Sequence, residues 1–418
     1  MSKSAGSLTS RVWPRLACLL LGAVCLLAGL DAALLRVGLP SPVSGTELAD
    51  LHGPLMIAGF LGTVIALERA VAARAAWAYL APLGSALGCV LLLVGAPALL
   101  GRAVVLAGAL ALCGIYVAVH RRAPSVAGDV ESLGAIALAL GDLQWLAAGT
   151  SGTATARAVP AAVPLWLLFP VLTIVGERLE LARVAFLGDG VEGTVRGLSA
   201  LALLAACLLP VTDAAHLVLG PALLALAVVM TYYDVARRTI RASGGPRFMA
   251  ASMLAGYVWL ALAGVVWTLT SIDGGTGAAY EIVIHCLALG YAFSMILAHA
   301  PTIVPAIVHR RLPYHPLMWL PYALLHLGLA VRVIGLAAGV VGPWQTGGAL
   351  GVAAILVFLA IVVVSAVASG SITAVRRTGA TVRATAPATP AGANAAARPV
   401  ASSPITDPTT VPAPGRRD

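Results

Sequence analysis

Two histidines stand where polar groups are costly. His52 opens the segment Leu51-His52-Gly53-Pro54-Leu55-Met56, and His285 closes Glu281-Ile-Val-Ile-His285; both lie in long apolar runs. Ionisable side chains in such runs mark function by default. They sort by depth into two groups. The outer group holds Asp31, Arg36, His52, Asp142, Glu281, His285, His326 and Arg332, and the inner group holds Glu68, Arg69, Glu177, Glu180 and His299. Two neutral imidazoles at matched depth on different helices have the chemistry to ligate one metal. A bis-histidine haem is the commonest such arrangement in a helical membrane bundle. The competing account has each ring hydrogen-bonded to a neighbouring helix.

The residues around this pair fit either account. Gly53, Gly59 and Gly62 beside His52, and Gly290 beside His285, would let a flat macrocycle approach the backbone. Arg36 and Arg332 lie where haem propionates need cations, or where arginines snorkel to headgroups. Glu281 shares a helix face with His285, as an acceptor orienting the imidazole or as an interfacial carboxylate. His326 is a third ligand, a gate, or a helix-packing hydrogen bond. His299 follows His285 by fourteen residues, about 21 Å along a helix, so the two cannot share a metal atom. Pro301 and Pro305 are expected to break the helix there. Glu68, Glu177 and His299 form either a proton path or an inner ion network with Arg69 and Arg178. His120, His216, His309 and His315 are expected at helix ends.

The elements that must position these residues are helices. The chain has 418 residues, 60% hydrophobic and 10% charged, with mean hydropathy +0.96. A soluble domain carries roughly 25% charged residues, so the first partner is a lipid bilayer. No strand-type alternation runs through the chain, which leaves helices to satisfy the backbone in hydrocarbon. Spans are predicted near 14–37, 49–69, 76–97, 99–120, 130–150, 160–184, 195–212, 214–234, 247–270, 279–305, 314–337 and 347–371. The expected fold is all-α, a polytopic bundle of about twelve transmembrane helices.

The net charge of +9 sits in scattered arginines at helix ends, a mark of topology rather than of nucleic acid. With the N-terminus inside, alternate loops carry Arg74; Arg121 and Arg122; Arg183 and Arg196; Arg237, Arg238, Arg241 and Arg247; Arg310 and Arg311; and Arg376 and Arg377. The opposite loops hold little beyond Arg102 and Arg157. The expected setting is a bacterial cytoplasmic membrane with both termini inside. Residues 1–13 form a cytoplasmic N-terminus, 14–377 the transmembrane domain, and 378–418 a disordered tail rich in Ala, Thr, Pro and Ser. Lys3, Arg11 and Arg15 before an apolar run have the form of a signal peptide, but the cleavage-like site near Ala28 to Ala33 is weak. A retained first helix keeps the topology consistent. Cys18, Cys25, Cys89, Cys113, Cys207 and Cys286 fall in apolar runs without metal or disulfide spacing, and read as small core residues.

Histidines on the second and tenth of twelve helices resemble the haem-copper oxidase subunit I scaffold. That resemblance implies a haem-copper-oxidase-like arrangement in which His52 and His285 clamp a low-spin haem b and Arg36 and Arg332 stand near its substituents. The copper ligands of that family come from helices 6 and 7, which carry no histidine here, and its helix-10 His-x-His pair is reduced to His285 and Leu287. The oxygen-reducing binuclear centre is therefore expected to be absent, and a complete terminal oxidase or nitric oxide reductase is not the expectation. Leu51 to Phe60 and His285 to Pro301 also resemble the NnrS family, twelve-helix haem- and copper-containing membrane proteins of nitric oxide stress. The expectation is a haem-binding integral membrane protein serving electron transfer or nitric oxide stress, with an electron-transfer partner and nitric oxide as candidate partners. Copper is left open, with no thiolate or histidine cluster to argue for it. The alternative is a twelve-helix secondary transporter with intramembrane His, Glu and Asp coupling protons. His52 to Phe60 and His285 to Phe293 share one spacing, eight helices apart.

Overall fold

A computed structural model describes residues 12–368, apart from 44, 150–152, 184–189, 272–276 and 311, with the side chains of 46 and 153–158 also outside it. Twelve long helices make up the fold among the described residues. They are α1 (Val12–Arg36), α2 (His52–Ala73), α3 (Ala76–Leu93), α4 (Ala98–His120), α5 (Val126–Ala147), α6 (Thr153–Arg183), α7 (Val191–Leu208), α8 (Asp213–Tyr233), α9 (Gly244–Leu269), α10 (Ala278–Val308), α11 (Pro316–Ala338) and α12 (Val341–Ala368). Eleven are long and apolar enough to cross a membrane. The other, α5, has 22 residues, enough for a bilayer, but carries Asp129, Glu131 and Asp142. The chain is a polytopic helical membrane bundle. The expected terminal segments, and Arg311, Arg376 and Arg377, lie at or beyond residues outside the description.

Composition decides where each helix sits. α6 carries no charged residue over 159–176 and is the most buried of the eleven, with Trp166 and Phe169 fully enclosed. α12 is the least buried and turns Val363, Val364 and Val367 outward. Chain neighbours pair as antiparallel hairpins, and small residues set how closely they pack, because lipid supplies no hydrophobic drive between helices. A Cβ on Gly108 of α4 would lie 2.6 Å from the Ser85 backbone nitrogen of α3. A Cβ on Gly264 of α9 would lie 2.7 Å from the Leu224 nitrogen of α8. We expect Gly108→Ala and Gly264→Ala each to cost about 1–3 kcal/mol by overpacking, read as unfolding in mixed micelles. Gly193→Ala on α7, where a Cβ meets nothing within 4 Å, should instead be neutral or stabilising.

Among the described residues two helices contain π-helical runs. α2 changes to a π-helix over Leu55–Gly62, and α10 does so over Cys286–Phe293. Each π run has eight residues and begins within three residues of a histidine. Such runs cluster at functional sites, because the extra residue in the turn re-aims side chains. The break expected at Pro301 and Pro305 does not occur. α10 continues through both prolines to Val308, since hydrocarbon offers a broken backbone no other partners.

Candidate functional site

α1, α2, α6, α10, α11 and α12 surround one cavity at the His52 end of α2. A water-sized sphere can centre itself in about 130 Å³ of it, within about 1140 Å³ of open space that includes the mouth. The walls are largely apolar, with Met56, Ile57, Val163, Leu289, Phe293 and Ile355 among them. His52 and His285 both line this cavity.

The two imidazoles are held alike. His52 Nδ1 lies 2.9 Å from the Gly29 carbonyl on α1, and His285 Nδ1 lies 2.7 Å from the Glu281 carbonyl one turn earlier. A carbonyl only accepts, so each Nδ1 carries the proton and donates it. That tautomer leaves each Nε2 a lone-pair donor, and neither Nε2 has a hydrogen-bond partner among the described residues. A ring nitrogen donating to a carbonyl while the other stays unprotonated is the usual support for a metal-binding histidine. Below them the matched spacing becomes a contact: Phe60 and Phe293 stack with centroids 5.7 Å apart and planes 21° apart.

The mouth is polar. Arg36, Asp50, Tyr280, Glu281, Arg332 and Trp344 line it. The Glu281 carboxylate does not orient His285; its backbone carbonyl does. The carboxylate instead accepts from Arg332 at 2.8 Å and from Trp344 Nε1 at 3.0 Å. The Arg332 guanidinium also lies 6.0 Å from the Trp344 ring centroid, and its Nε is buried without a hydrogen-bond partner. Among the described residues Arg36 donates to the Ala49 carbonyl, at 3.5 Å.

Other expected site residues stand elsewhere. His326 does not line the cavity: Trp259 Nε1 donates to its Nδ1 at 2.9 Å, Ser294 Oγ lies 3.5 Å from its Nε2, and Tyr322 meets it edge-on. Of its three readings, helix packing is the one drawn. Gly59 packs on Cys25 and Cys89, Gly62 on Ser85, and Gly290 on Trp259, so these glycines seat helices rather than a macrocycle. Gly53 does line the cavity, joined by Gly348 and Gly351 of α12. His299 lies 3.4 Å from Arg178, with its Nδ1 on the Met295 carbonyl at 2.7 Å.

The inner group divides into two networks. Arg69 pairs with Glu131 at 3.1 Å, with Glu177 more closely, and with Glu68 at 3.8 Å. The next residue on α6, Arg178, grips Asp234 through two bonds of 2.7 and 2.8 Å, and Tyr257 donates to the same carboxylate at 2.6 Å. Glu131, Trp344 and Asp234 were not among the expected site residues. Glu131 sits two residues after Asp129 near a helix start, where an acid reads as a helix-end charge. Among the described residues no group of three or more His, Cys, Asp or Glu side chains is placed to hold a metal ion. A donor set for copper is therefore not found there, whereas a haem asks only two axial nitrogens of the protein.

Residues 15–367 match one family model, described as a domain of unknown function (DUF8744). No curated protein matches the chain, and no solved structure does.

Proposed function

The chain belongs to the DUF8744 family, and from its cavity we propose that it is a haem-binding integral membrane protein that passes single electrons. One observation carries the reading: His52 and His285 face one apolar cavity with Nδ1 anchored on a carbonyl and Nε2 unpartnered. The residues present fit a haem b. His52 and His285 would hold it through their Nε2 nitrogens, and Arg36 and Arg332, with its buried unpartnered Nε, would meet its carboxylates. Gly53, Gly348 and Gly351 add no side chain to the lining.

Held by two histidines, such a group would supply one-electron redox chemistry. Electron transfer is therefore the reading proposed first and a nitric oxide response the second. The remaining residues position and insulate: apolar walls exclude water, and the Glu281–Arg332 pair fixes the mouth. We place the protein in a bacterial cytoplasmic membrane, both termini inside, on the arginine asymmetry of its loops. The likeness to the NnrS family and the oxidase scaffold is part of this proposal.

The test is the visible spectrum of the purified protein, oxidised and dithionite-reduced. A sharp low-spin b-type spectrum supports the reading. A colourless preparation from haem-replete cells sinks it and turns attention to proton-coupled transport, for which the Glu68, Glu131 and Glu177 carboxylates around Arg69 would be the coupling groups.

A further inference from the structure

The network around Arg69 is out of charge balance. One guanidinium meets three carboxylates, Glu68 of α2, Glu131 of α5 and Glu177 of α6. Among the described residues Arg69 is the cation paired with all three. Arg178, on α6, is committed to Asp234, and α10 contributes only His299, whose Nδ1 donates to a carbonyl and whose Nε2 faces Arg178. Glu180, also on α6, is exposed and adds a further negative charge. Fully ionised, the set carries two uncompensated negative charges inside membrane-spanning helices. Such charge is expensive unless it is neutralised.

A second observation points the same way. Tyr116 of α4 is 3% exposed, and its hydroxyl is buried without a hydrogen-bond partner. It lies within electrostatic reach of Arg69, Glu131, Glu177 and Glu68. Arg69 Nε is likewise buried and unpartnered. Orphaned polar atoms beside an acid cluster are the partners that water or a shared proton would satisfy. The other side of Tyr116 borders a cleft of about 340 Å³ between α4 and α5. His120, Asp129 and Ser132 line that cleft, and the first two are paired at 3.1 Å at the helix ends.

We propose that Glu68, Glu131 and Glu177 form a proton-exchange site that shares protons around Arg69 and is reached from the aqueous phase through the α4–α5 cleft past Tyr116. His120 and Asp129 stand at the cleft's outer lip as the first groups to meet solvent protons. Tyr116 relays by moving its hydroxyl, buried and unpartnered in this structure, between a carboxylate and water in the cleft. The balance is simple: hydronium in the cleft gives a proton to the Tyr116 hydroxyl and is left as water, the hydroxyl passes its own proton to a carboxylate oxygen, and only O–H bonds break and form. The site does not depend on what occupies the His52–His285 cavity, since Glu68 lies sixteen residues beyond His52, about 24 Å along α2.

The test is infrared difference spectroscopy of the full chain in nanodiscs, titrated with pH and then transferred to deuterated buffer. The expected result is a carboxylic-acid C=O band that titrates and shifts on deuteration. Glu131→Gln and Glu177→Gln should each remove most of its amplitude, because the two remaining acids are then better matched by Arg69. Glu68→Gln, at the loosest contact and so least disruptive to folding, should do the same in part. Tyr116→Phe should keep the band and slow its deuteration roughly tenfold, the rate equivalent of one lost hydrogen bond. A band indifferent to all three glutamine variants overturns the proposal and makes the cluster a static ion network. Deuteration at the native rate in Tyr116→Phe also overturns it, since the route is part of the claim. A colourless protein with both results intact would end the haem reading and leave this one standing.

Discussion

On the proposed haem assignment, alanine at His52 or at His285 is expected to abolish the low-spin absorption. Each imidazole is anchored through Nδ1, on Gly29 for His52 and on Glu281 for His285, so each ring is oriented before any ligand arrives. Loss of a supporting hydrogen bond alone typically costs 10–100-fold in metal affinity. Loss of the donor nitrogen itself should exceed that, and we expect haem content after purification to fall on the order of 100-fold or more. The two variants should behave alike, because the two rings are held alike. His285→Met provides the sharper test: a thioether in place of imidazole should retain haem and raise the midpoint potential. A histidine-to-alanine variant with an unchanged spectrum would place the haem elsewhere. An unchanged spectrum in both would remove the cavity's assignment altogether.

Which parts of this site were legible in the sequence follows from what each depends on. Helix count depends on hydropathy over about twenty residues, and all twelve predicted spans correspond to helices, most boundaries shifted by a few residues. The placement of His52 and His285 beside one cavity followed from depth, a property of position along a helix. His326 sits at mid-span on a neighbouring helix, yet it turns to Trp259 and Ser294, because rotation about the helix axis decides which residue it meets. Depth does not encode rotation, and α11 is apolar on most of its circumference. The same gap explains the glycines. Gly59, Gly62 and Gly290 looked like cofactor faces, but whether a glycine meets a ligand or another helix is again a matter of rotation. The π runs were signalled only by the shared His52–Phe60 and His285–Phe293 spacing. That spacing gains meaning once the two phenylalanines stack. Trp344 was hidden for a different reason: a tryptophan near a helix end reads as an interfacial anchor, and nothing in the sequence ties it to Glu281, 63 residues away.

Breaking the Arg178–Asp234 pair should be the costliest change to stability. The Asp234 side chain is fully buried and that of Arg178 is 6% exposed. The carboxylate accepts both guanidinium bonds, the Tyr257 hydroxyl and the Ala236 backbone N–H, so every lone pair in reach is used. Removing one partner of a buried pair strands the other's charge, at about 3–5 kcal/mol. We therefore expect Asp234→Ala and Arg178→Ala each to lower stability by about that amount. The double variant Arg178→Met with Asp234→Leu should cost less than the sum, because no charge is left stranded. Tyr257→Phe, which removes one hydrogen bond to a charged group, should cost about 1.5–3 kcal/mol. Unfolding in mixed micelles measures all four. Acid gives an independent check. Burial by itself pushes the Asp234 carboxyl up, but the hydrogen bond and charge of Arg178, with Tyr257 and the Ala236 N–H, hold it below its ordinary value of 3.8. A carboxyl depressed on folding stabilises fully above that ordinary value, and the contribution drains away as pH falls through it toward the folded value. Native protein should lose stability below about pH 4 through this residue, and Asp234→Asn should lack that component. Equal acid sensitivity in native and Asp234→Asn protein would show that the pair is not what acid undoes, and equal stability of Arg178→Ala and native protein would show that Asp234 finds another partner.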